Sequence, residues 1–152
     1  AAAHELVEDW RRRQPDVDWH FEETLGDLQL DATTISNVYR IAEEALVNAA
    51  RHADASRIGL ALAFEQESRD DGPRTWLRLV VEDDGVGDLA ELRPGIGLRS
   101  MRDRARSLGG DCIVEARHPQ GLRVAVIVPV APAITAGGAD SAADASARGD
   151  GE

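Results

Sequence analysis

The most informative absence in this 152-residue sequence is lysine, because all 17 basic residues are arginine. A Walker-type phosphate loop needs a lysine beside the phosphates. That design is therefore excluded, and any phosphate site in this chain must be built differently. A single cysteine, Cys112, excludes an intrachain disulfide. The four histidines lie too far apart along the chain for a local zinc motif.

Two further absences narrow the class of function. The formal net charge of −11 argues against binding to nucleic acid or to an anionic membrane, because both need a basic face on the protein. No run approaches the roughly 18 to 20 apolar residues that a membrane helix needs. Charged residues from His4 onward interrupt the first stretch, so we expect no signal peptide. The first residue is not Met and opens a helix-like segment, and we expect the chain to be a piece of a longer protein.

The remaining composition is that of a folded domain. The hydrophobic fraction of 43% is ordinary for a globular protein, and the length suits one domain with its own core. We predict that this domain spans residues 1–130, with residues 1–30 forming its first helix and strand. Residues 131–152 are rich in Ala, Gly, Ser and Asp, a composition that predicts a disordered tail.

Hydrophobic periodicity predicts alternating helices and paired strands. The predicted helices span 2–13, a long segment capped by Asp31 or Thr34 and ending near His52, and 98–108, which Gly109 and Gly110 stop. The predicted strands span 17–21, 57–64, 76–81, 112–116 and 122–128. The charged stretch 65–74 is predicted to be a hairpin connection with a turn at 71–73. The long helix is predicted to bury Ile35, Val38, Ala42, Ala45, Leu46 and Ala49. Paired strands predominate, which favours a two-layer α+β sandwich over a doubly wound parallel sheet.

A polar stripe runs beside the apolar face of the long helix. Glu44 and Asn48 are four residues apart, and Arg51 and His52 follow one turn later. Residues at this spacing share a helix face, so a carboxylate, a carboxamide and a guanidinium are lined up. By itself the stripe also fits an ordinary solvated face.

An acidic, glycine-containing segment directly follows the predicted strand 76–81. It begins at Asp83 and continues through Asp84 to Gly85 and Gly87. Glycines let a ligand approach the backbone closely, and an aspartate at a strand end can accept hydrogen bonds from a ligand amine. A calcium loop is excluded because the later oxygen ligands are missing. An acidic turn without function remains an alternative for this segment alone.

A second glycine pair precedes the predicted helix 98–108, in the order Gly95, Ile96, Gly97, Leu98. Free backbone amides at a helix N-terminus form an anion site, and glycines remove side chains that would block a phosphate. A dinucleotide fingerprint is excluded because Ser100 occupies its third glycine position and no strand leads into it. Alone, the segment also fits a simple turn.

Together, in this order, the segments resemble the ATP-binding domain of two-component sensor histidine kinases. Residues 39–53 resemble the N box of that family, 83–87 the first glycine box, and 95–110 the second glycine box with its helix. Residues 121–129 are similar to the terminal strand, so the resemblance covers roughly 31–130. The Tyr39-Arg40 pair, which precedes Glu44-Ala45-Leu46 and Asn48, resembles the pattern of the nitrate-sensor-like subfamily. Asp84 stands where many of these kinases have Asn.

The resemblance implies the Bergerat fold shared with gyrase, Hsp90 and MutL, a mixed, mostly antiparallel sheet covered on one face by helices. It implies ATP and Mg²⁺ as ligands. For the long helix it implies Asn48 as a Mg²⁺ ligand, Glu44 as the residue that activates a nucleophile or supports the metal, and Arg51 and His52 as residues beside the phosphates. For adenine it implies Asp83 as the acceptor of a hydrogen bond from the amino group, with Gly85 and Gly87 shaping the pocket. Residues 88–94 would form a short lid, and the phosphates would be held by Gly95, Ile96, Gly97 and Leu98.

As a function, the resemblance implies transfer of the γ-phosphoryl group of ATP to a histidine on a separate dimerisation domain, and then to a response regulator. We interpret His4 as an ordinary helix residue, so the phosphoacceptor lies outside this chain. The resemblance implies a monomeric isolated chain, a homodimeric parent, and a cytoplasmic domain whose parent is compatible with an inner-membrane anchor. Three alternatives remain open: an anti-sigma-factor-type serine kinase, a free-standing gyrase-type ATPase, and a non-catalytic nucleotide-binding regulatory module.

Overall fold

The computed structural model describes residues 2–26, 29–52, 54–86 and 96–130. Within these ranges the chain forms three helices and five strands. In order they are α1 (Ala2–Arg13), β1 (Asp18–Thr24), α2 (Ala32–His52), β2 (Arg57–Arg69), β3 (Gly72–Asp83), α3 (Ile96–Ser107), β4 (Asp111–Ala116) and β5 (Leu122–Pro129). None of these helices is long and apolar enough to cross a bilayer.

The five strands form one sheet in the order β1-β2-β3-β5-β4. β1 runs parallel to β2, and the other neighbours are antiparallel. Side chains alternate along β3, so that Leu77, Leu79 and Val81 are buried while Arg78 and Val80 are half-exposed. The buried side packs with the helices in one core. This arrangement confirms the predicted two-layer α+β sandwich with a mixed, mostly antiparallel sheet.

α2 begins with a side-chain cap and buries one stripe. The Asp31 carboxylate accepts a hydrogen bond from the Thr34 amide at 2.7 Å, which satisfies an otherwise unpaired amide of the first turn. Most of the predicted core positions are buried, and Ile41 joins them. The prediction was wrong for Ile35, which is 49% exposed, because in the first turn it is Thr34 that faces the core.

The predicted hairpin between β2 and β3 is present, but the predicted length of its connection, 65–74, was wrong. β2 continues to Arg69 and β3 starts at Gly72, with their register kept from Ile58↔Asp83 to Arg69↔Gly72. β1 and β5 do not reach that far, so the far end of the hairpin is a two-stranded ribbon with solvent on both sides. Charged side chains are expected there because both faces are exposed, whereas the backbone pairing continues regardless of side-chain polarity.

The N-terminal segments dock onto the same body. The Trp10 and Trp19 rings stack with their centroids 5.9 Å apart, and the Trp19 indole donates to the Gln14 carbonyl at 3.0 Å. The Arg11 guanidinium donates to the Trp19 carbonyl at 2.8 Å. α1 is thereby held against β1, which pairs with β2 over its whole length. The exact limits 1–130 remain a prediction, and the predicted tail 131–152 lies outside the described residues.

α3 ends in the glycine pair that the sequence indicated. Gly109 has a φ of 79°, its amide donates to the Arg106 carbonyl, and the Gly110 amide donates to the Ala105 carbonyl, both at 2.9 Å. This is the Schellman pattern, which pairs carbonyls that the helix end leaves free. The helix begins at Ile96, two residues before the predicted start, so Gly97 lies inside it.

Gly110 lies directly against β5, and this close approach generates a testable prediction. A Cβ at Gly110 would lie 2.0 Å from the Ile127 carbonyl oxygen and 2.7 Å from Val128 Cγ1. Because a backbone atom cannot move aside cheaply, we expect Gly110→Ala to lower the free energy of unfolding by about 2–3 kcal/mol, in the range of overpacking costs. Urea denaturation followed by circular dichroism measures this change.

Gly59→Ala is the matched control for Gly110→Ala. A Cβ at Gly59 would meet nothing closer than His20 Cβ at 3.8 Å, which is an ordinary contact. The same replacement there restricts the unfolded chain without straining the fold, and it should be neutral or stabilise by up to about 1 kcal/mol. Equal unfolding free energies for the two variants would contradict the assigned packing.

Candidate functional site

The candidate site lies where the C-terminal end of α2 meets the C-terminal end of β3. Only residues 53–56 separate α2 from β2, and the second residue of β2, Ile58, pairs with Asp83. The short connection therefore brings the last turns of α2, with Asn48, to the end of the sheet that carries Asp83. β5 also begins at this end, because Arg123 pairs with Glu82.

Asp83 is the last residue of β3 and is 4% exposed. It continues the alternation of Leu77, Leu79 and Val81, so its side chain lies on the helix-covered side of the sheet. The Gly85 amide donates to Asp83 Oδ1 at 2.9 Å. Burial raises the pKa of the Asp83 carboxyl above its ordinary value, and hydrogen bonds from the Gly85 and Leu122 amides oppose that rise. A buried carboxylate of this kind is a strong acceptor for a ligand amine.

The polar stripe of α2 borders the buried face as its spacing predicted. Glu44 and Asn48 are both half-buried, each directly before a buried alanine (Ala45 and Ala49), and Arg51 is exposed one turn later. His52 ends α2, and its side chain lies outside the described part of the chain. The half-burial of Glu44 and Asn48 distinguishes them from residues of a fully solvated face, since both carry oxygen atoms at the boundary between core and solvent.

The second glycine segment is described only in part. Gly87, Gly95 and the predicted lid 88–94 lie outside the described residues, as do the side chain of Ile96 and the environment of Gly97. Leu98 is half-buried and packs against the core. α3 is tied to α2 by the Arg104 guanidinium, which donates to Asn37 Oδ1 at 3.3 Å. The roles predicted for these residues stay predictions.

The turn between β4 and β5 also supports Asp83, which motif spacing did not indicate. The Arg117 guanidinium donates to the Asp83 carbonyl at 3.3 Å, and the Gln120 side chain donates to the Asp84 carbonyl at 2.8 Å. Gly121 has a φ of 109°, and a Cβ there would lie 1.9 Å from the Asp83 carbonyl oxygen. A side chain at position 121 is therefore excluded. The glycine was the only local signal of this close approach.

Described residues at this end supply oxygen atoms rather than a preformed metal cage. Within the described ranges, no group of three or more His, Cys, Asp or Glu side chains is placed to hold a metal. Mg²⁺ commonly takes only one or two protein ligands, with substrate phosphates and water completing its shell. The Asn48 carboxamide and the Glu44 carboxylate fit that donor set by chemistry and by their shared helix face.

Comparisons with known proteins agree with this geometry. Residues 33–132 match the family model described as "Histidine kinase-, DNA gyrase B-, and HSP90-like ATPase". The sensor histidine kinase LiaS of Bacillus subtilis is 30% identical over 131 residues, which cover 84% of this chain and 33% of LiaS. The nitrate/nitrite sensor protein NarX of Escherichia coli is 36% identical over 92 residues, which cover 59% of this chain and 14% of NarX.

A solved structure shares the fold. The ATP-binding domain of PrrB from Mycobacterium tuberculosis superposes with a TM-score of 0.60 at 18% identity, covering 86% of this chain and 92% of that domain. The chain spans about a third of the length of LiaS and less of NarX, so it corresponds to one part of such proteins. The resemblance drawn from the boxes is confirmed at the level of family and fold. The chain belongs to the family of histidine kinase-, DNA gyrase B- and HSP90-like ATPases.

Proposed function

We propose that this chain binds Mg-ATP and supplies its γ-phosphoryl group to a histidine on a separate dimerisation domain in two-component signalling. The observation that carries the proposal is the buried Asp83 carboxylate, placed on the helix-covered side of the sheet at the end where α2 brings Asn48. Membership of the ATPase family and the sensor kinases among the relatives support the proposed reaction.

In the proposed complex, Asp83 accepts a hydrogen bond from the adenine amino group. One of its oxygens, Oδ1, is held by the Gly85 amide. Desolvation makes a buried carboxylate unfavourable when it is left without donors, so an adenine amine at this position is stabilising and its absence is costly. The residue therefore provides both binding and discrimination between bases.

The phosphates are proposed to lie between α2 and the start of α3. Asn48 is the proposed Mg²⁺ ligand, and Arg51 is a cation one turn away. Gly95, Ile96, Gly97 and Leu98 are proposed to present backbone amides, as helix N-termini do for anions. Bound Mg²⁺ neutralises the charge that develops on the phosphoryl oxygens during transfer. Glu44 is half-buried on the same helix face and is proposed to accept the proton of the attacking nucleophile or to support the metal.

The phosphoacceptor histidine is proposed to lie on another domain. His4 belongs to α1, where its imidazole packs edge-on against Phe21 with ring centroids 5.3 Å apart and lies 3.7 Å from a Glu8 carboxylate oxygen. His4 thus contributes to the packing of α1 against β1, which is an edge strand of the sheet. The proposed partners are the dimerisation domain of a homodimeric parent and a response regulator. The proposed location is the cytoplasm, where ATP is available.

The first prediction from the proposed function concerns adenine. We expect Asp83→Asn to weaken Mg-ATP binding by roughly 10- to 100-fold, because losing a charge-assisted hydrogen bond costs about 1.5–3 kcal/mol. Isothermal titration calorimetry measures the affinity. Asp71→Asn is the matched control, since Asp71 is exposed at the hairpin turn, at the opposite end of β3. Unchanged affinity in folded Asp83→Asn protein would overturn the site.

The second prediction concerns the metal. We expect Asn48→Ala to remove most of the increase in ATP affinity that Mg²⁺ produces, because the metal loses its proposed protein ligand. The measurement is ATP affinity across a Mg²⁺ titration. Ser36→Ala, at an exposed position of the same helix, also raises helix propensity and should keep the wild-type Mg²⁺ dependence. Equal Mg²⁺ dependence in both variants would exclude Asn48 as a ligand.

The third prediction concerns phosphoryl transfer. With ATP and a dimerisation domain taken from one of the sensor kinase relatives, we expect an acid-labile phosphohistidine to form. Glu44→Gln should slow this transfer by roughly 10²- to 10⁴-fold, the usual contribution of a general base, with ATP affinity nearly unchanged. An acid-stable phosphoserine on an anti-anti-sigma protein instead would favour the serine-kinase alternative, and ATP binding without transfer to either substrate would favour the regulatory module.

A further inference from the structure

Asp84 connects two segments that are distant in sequence. Its Oδ1 accepts hydrogen bonds from the backbone amides of Ser56 at 2.8 Å and Arg57 at 2.9 Å, and its Oδ2 accepts from the Ser56 hydroxyl at 2.5 Å. The Asp84 amide in turn donates to the Arg57 carbonyl at 3.2 Å. Four hydrogen bonds therefore fasten this residue to Ser56, the last residue before β2, and to Arg57, the first residue of β2. The pKa of Asp84 is lowered, first of all by the Ser56 hydroxyl.

These contacts set the direction of the chain immediately after Asp83. Asp83 faces the core, and the Asp84 side chain reaches Ser56 and Arg57 at the start of β2. The chain then places the Gly85 amide 2.9 Å from Asp83 Oδ1. Two sets of hydrogen bonds, those of the Asp84 carboxylate and that of the Gly85 amide, are thus joined by the peptide between these two residues, and together they connect Ser56 and Arg57 to the oxygen of Asp83.

The opposite side of the same peptides is held by the turn between β4 and β5. Gln120 donates to the Asp84 carbonyl at 2.8 Å, and Arg117 donates to the Asp83 carbonyl at 3.3 Å. The backbone at Asp83 and Asp84 is therefore fixed from two sides. Of these contacts, those of the Asp84 carboxylate link it to Ser56 and Arg57, a few residues after the end of α2.

We propose that Asp84 is a positioning residue for adenine recognition, which holds the Asp83 carboxylate in the orientation that accepts the adenine amino group. The inference rests on the proposed function, in which Asp83 is the acceptor. The Asp84 carboxylate contacts Ser56 and Arg57, on the opposite side of the strand end from the Asp83 carboxylate. Its effect on the nucleotide is transmitted through the Gly85 amide.

The contacts define which side chains can serve at position 84. An oxygen must accept from the two amides, and a second atom must pair with the Ser56 hydroxyl, which can both donate and accept. Asparagine meets both requirements, because its Oδ1 can take the amides and its Nδ2 can donate to Ser56 Oγ. Alanine meets neither. Comparing the two substitutions separates hydrogen-bonding geometry from negative charge.

The test compares Mg-ATP with Mg-purine riboside triphosphate, which lacks only the 6-amino group, by calorimetric titration of the full chain. The wild-type protein should prefer ATP by roughly tenfold or more, because without the amine the buried carboxylate is left unpaired. Asp84→Ala should reduce that preference by at least about threefold and leave the affinity for purine riboside triphosphate nearly unchanged. Asp84→Asn should restore the wild-type preference.

Asp31→Ala is the matched control for a loss of stability alone. It also removes a carboxylate that accepts from a backbone amide, at the far end of α2. It should lower the melting temperature without changing the preference for ATP. If Asp84→Ala does not fold, Ser56→Ala replaces it, since it removes only the Oγ contact and should lower the preference in the same direction by a smaller factor.

The outcomes distinguish the inference from the function on which it rests. Loss of the preference in Asp83→Asn but not in Asp84→Ala, or in Ser56→Ala where it is used instead, would overturn the role of Asp84 and leave the proposed function standing. A wild-type protein that does not distinguish the two nucleotides would overturn adenine recognition by Asp83 itself, and the role of Asp84 with it. A reduced preference in Asp31→Ala would show that the effect follows general stability and would overturn the inference.

Discussion

The organisation of this domain depends on keeping one carboxylate buried at the end of a β-strand. Removing Asp83 from water costs several kcal/mol unless donors surround it, and its raised pKa reflects that cost. Backbone amides from Gly85 and Leu122 offset part of it. Gly121 lacks a side chain where any Cβ would collide with the Asp83 carbonyl. The neighbouring backbone thus supplies donors to the Asp83 side chain and packs closely against the Asp83 carbonyl.

The sheet topology explains how distant segments reach the same place. β3 lies between β2 and β5, so the end of β3 adjoins the beginnings of both neighbours. The segment after α2 is 28 residues from Asp84, and the turn before β5 is 36 residues away, yet both donate hydrogen bonds to it. Antiparallel pairing on both sides of β3 is what places two chain connections at one strand end. α2 then contributes Asn48 and Glu44 because only residues 53–56 separate it from β2.

Periodic segments were predictable from the sequence, and contacts between distant segments were not. The α2 stripe, the alternation of β3 and the Gly109–Gly110 stop each follow from local chemistry, and the structure has them. The hairpin end was missed because polar side chains indicate exposure rather than loss of backbone pairing. The sequence marked Asp84 only as part of the first glycine box, and the contacts of Asp84, Arg117 and Gln120 carry no local signal, since their partners lie on other segments. The role of Asp83 as a hydrogen-bond acceptor was predictable, but the contacts that hold its backbone in place were not.

Because the chain contains no lysine, the permanently charged cationic side chains available to the proposed phosphate site are arginines. A lysine would bring a compact cation to the phosphates, whereas arginine offers a planar group that stays charged and binds through a fixed set of donors. In a chain with 28 acidic residues, repulsion of a triphosphate must be offset locally. The groups proposed for this are Mg²⁺ on Asn48, Arg51, and amides at the start of α3. Asn48 and the amides are neutral, so Mg²⁺ and Arg51 are the only positively charged groups among those proposed. The doubly charged metal carries the larger share. Under this proposal, triphosphate binding depends on Mg²⁺, while adenine selection depends on Asp83 and on the contacts of Asp84 that hold it in place.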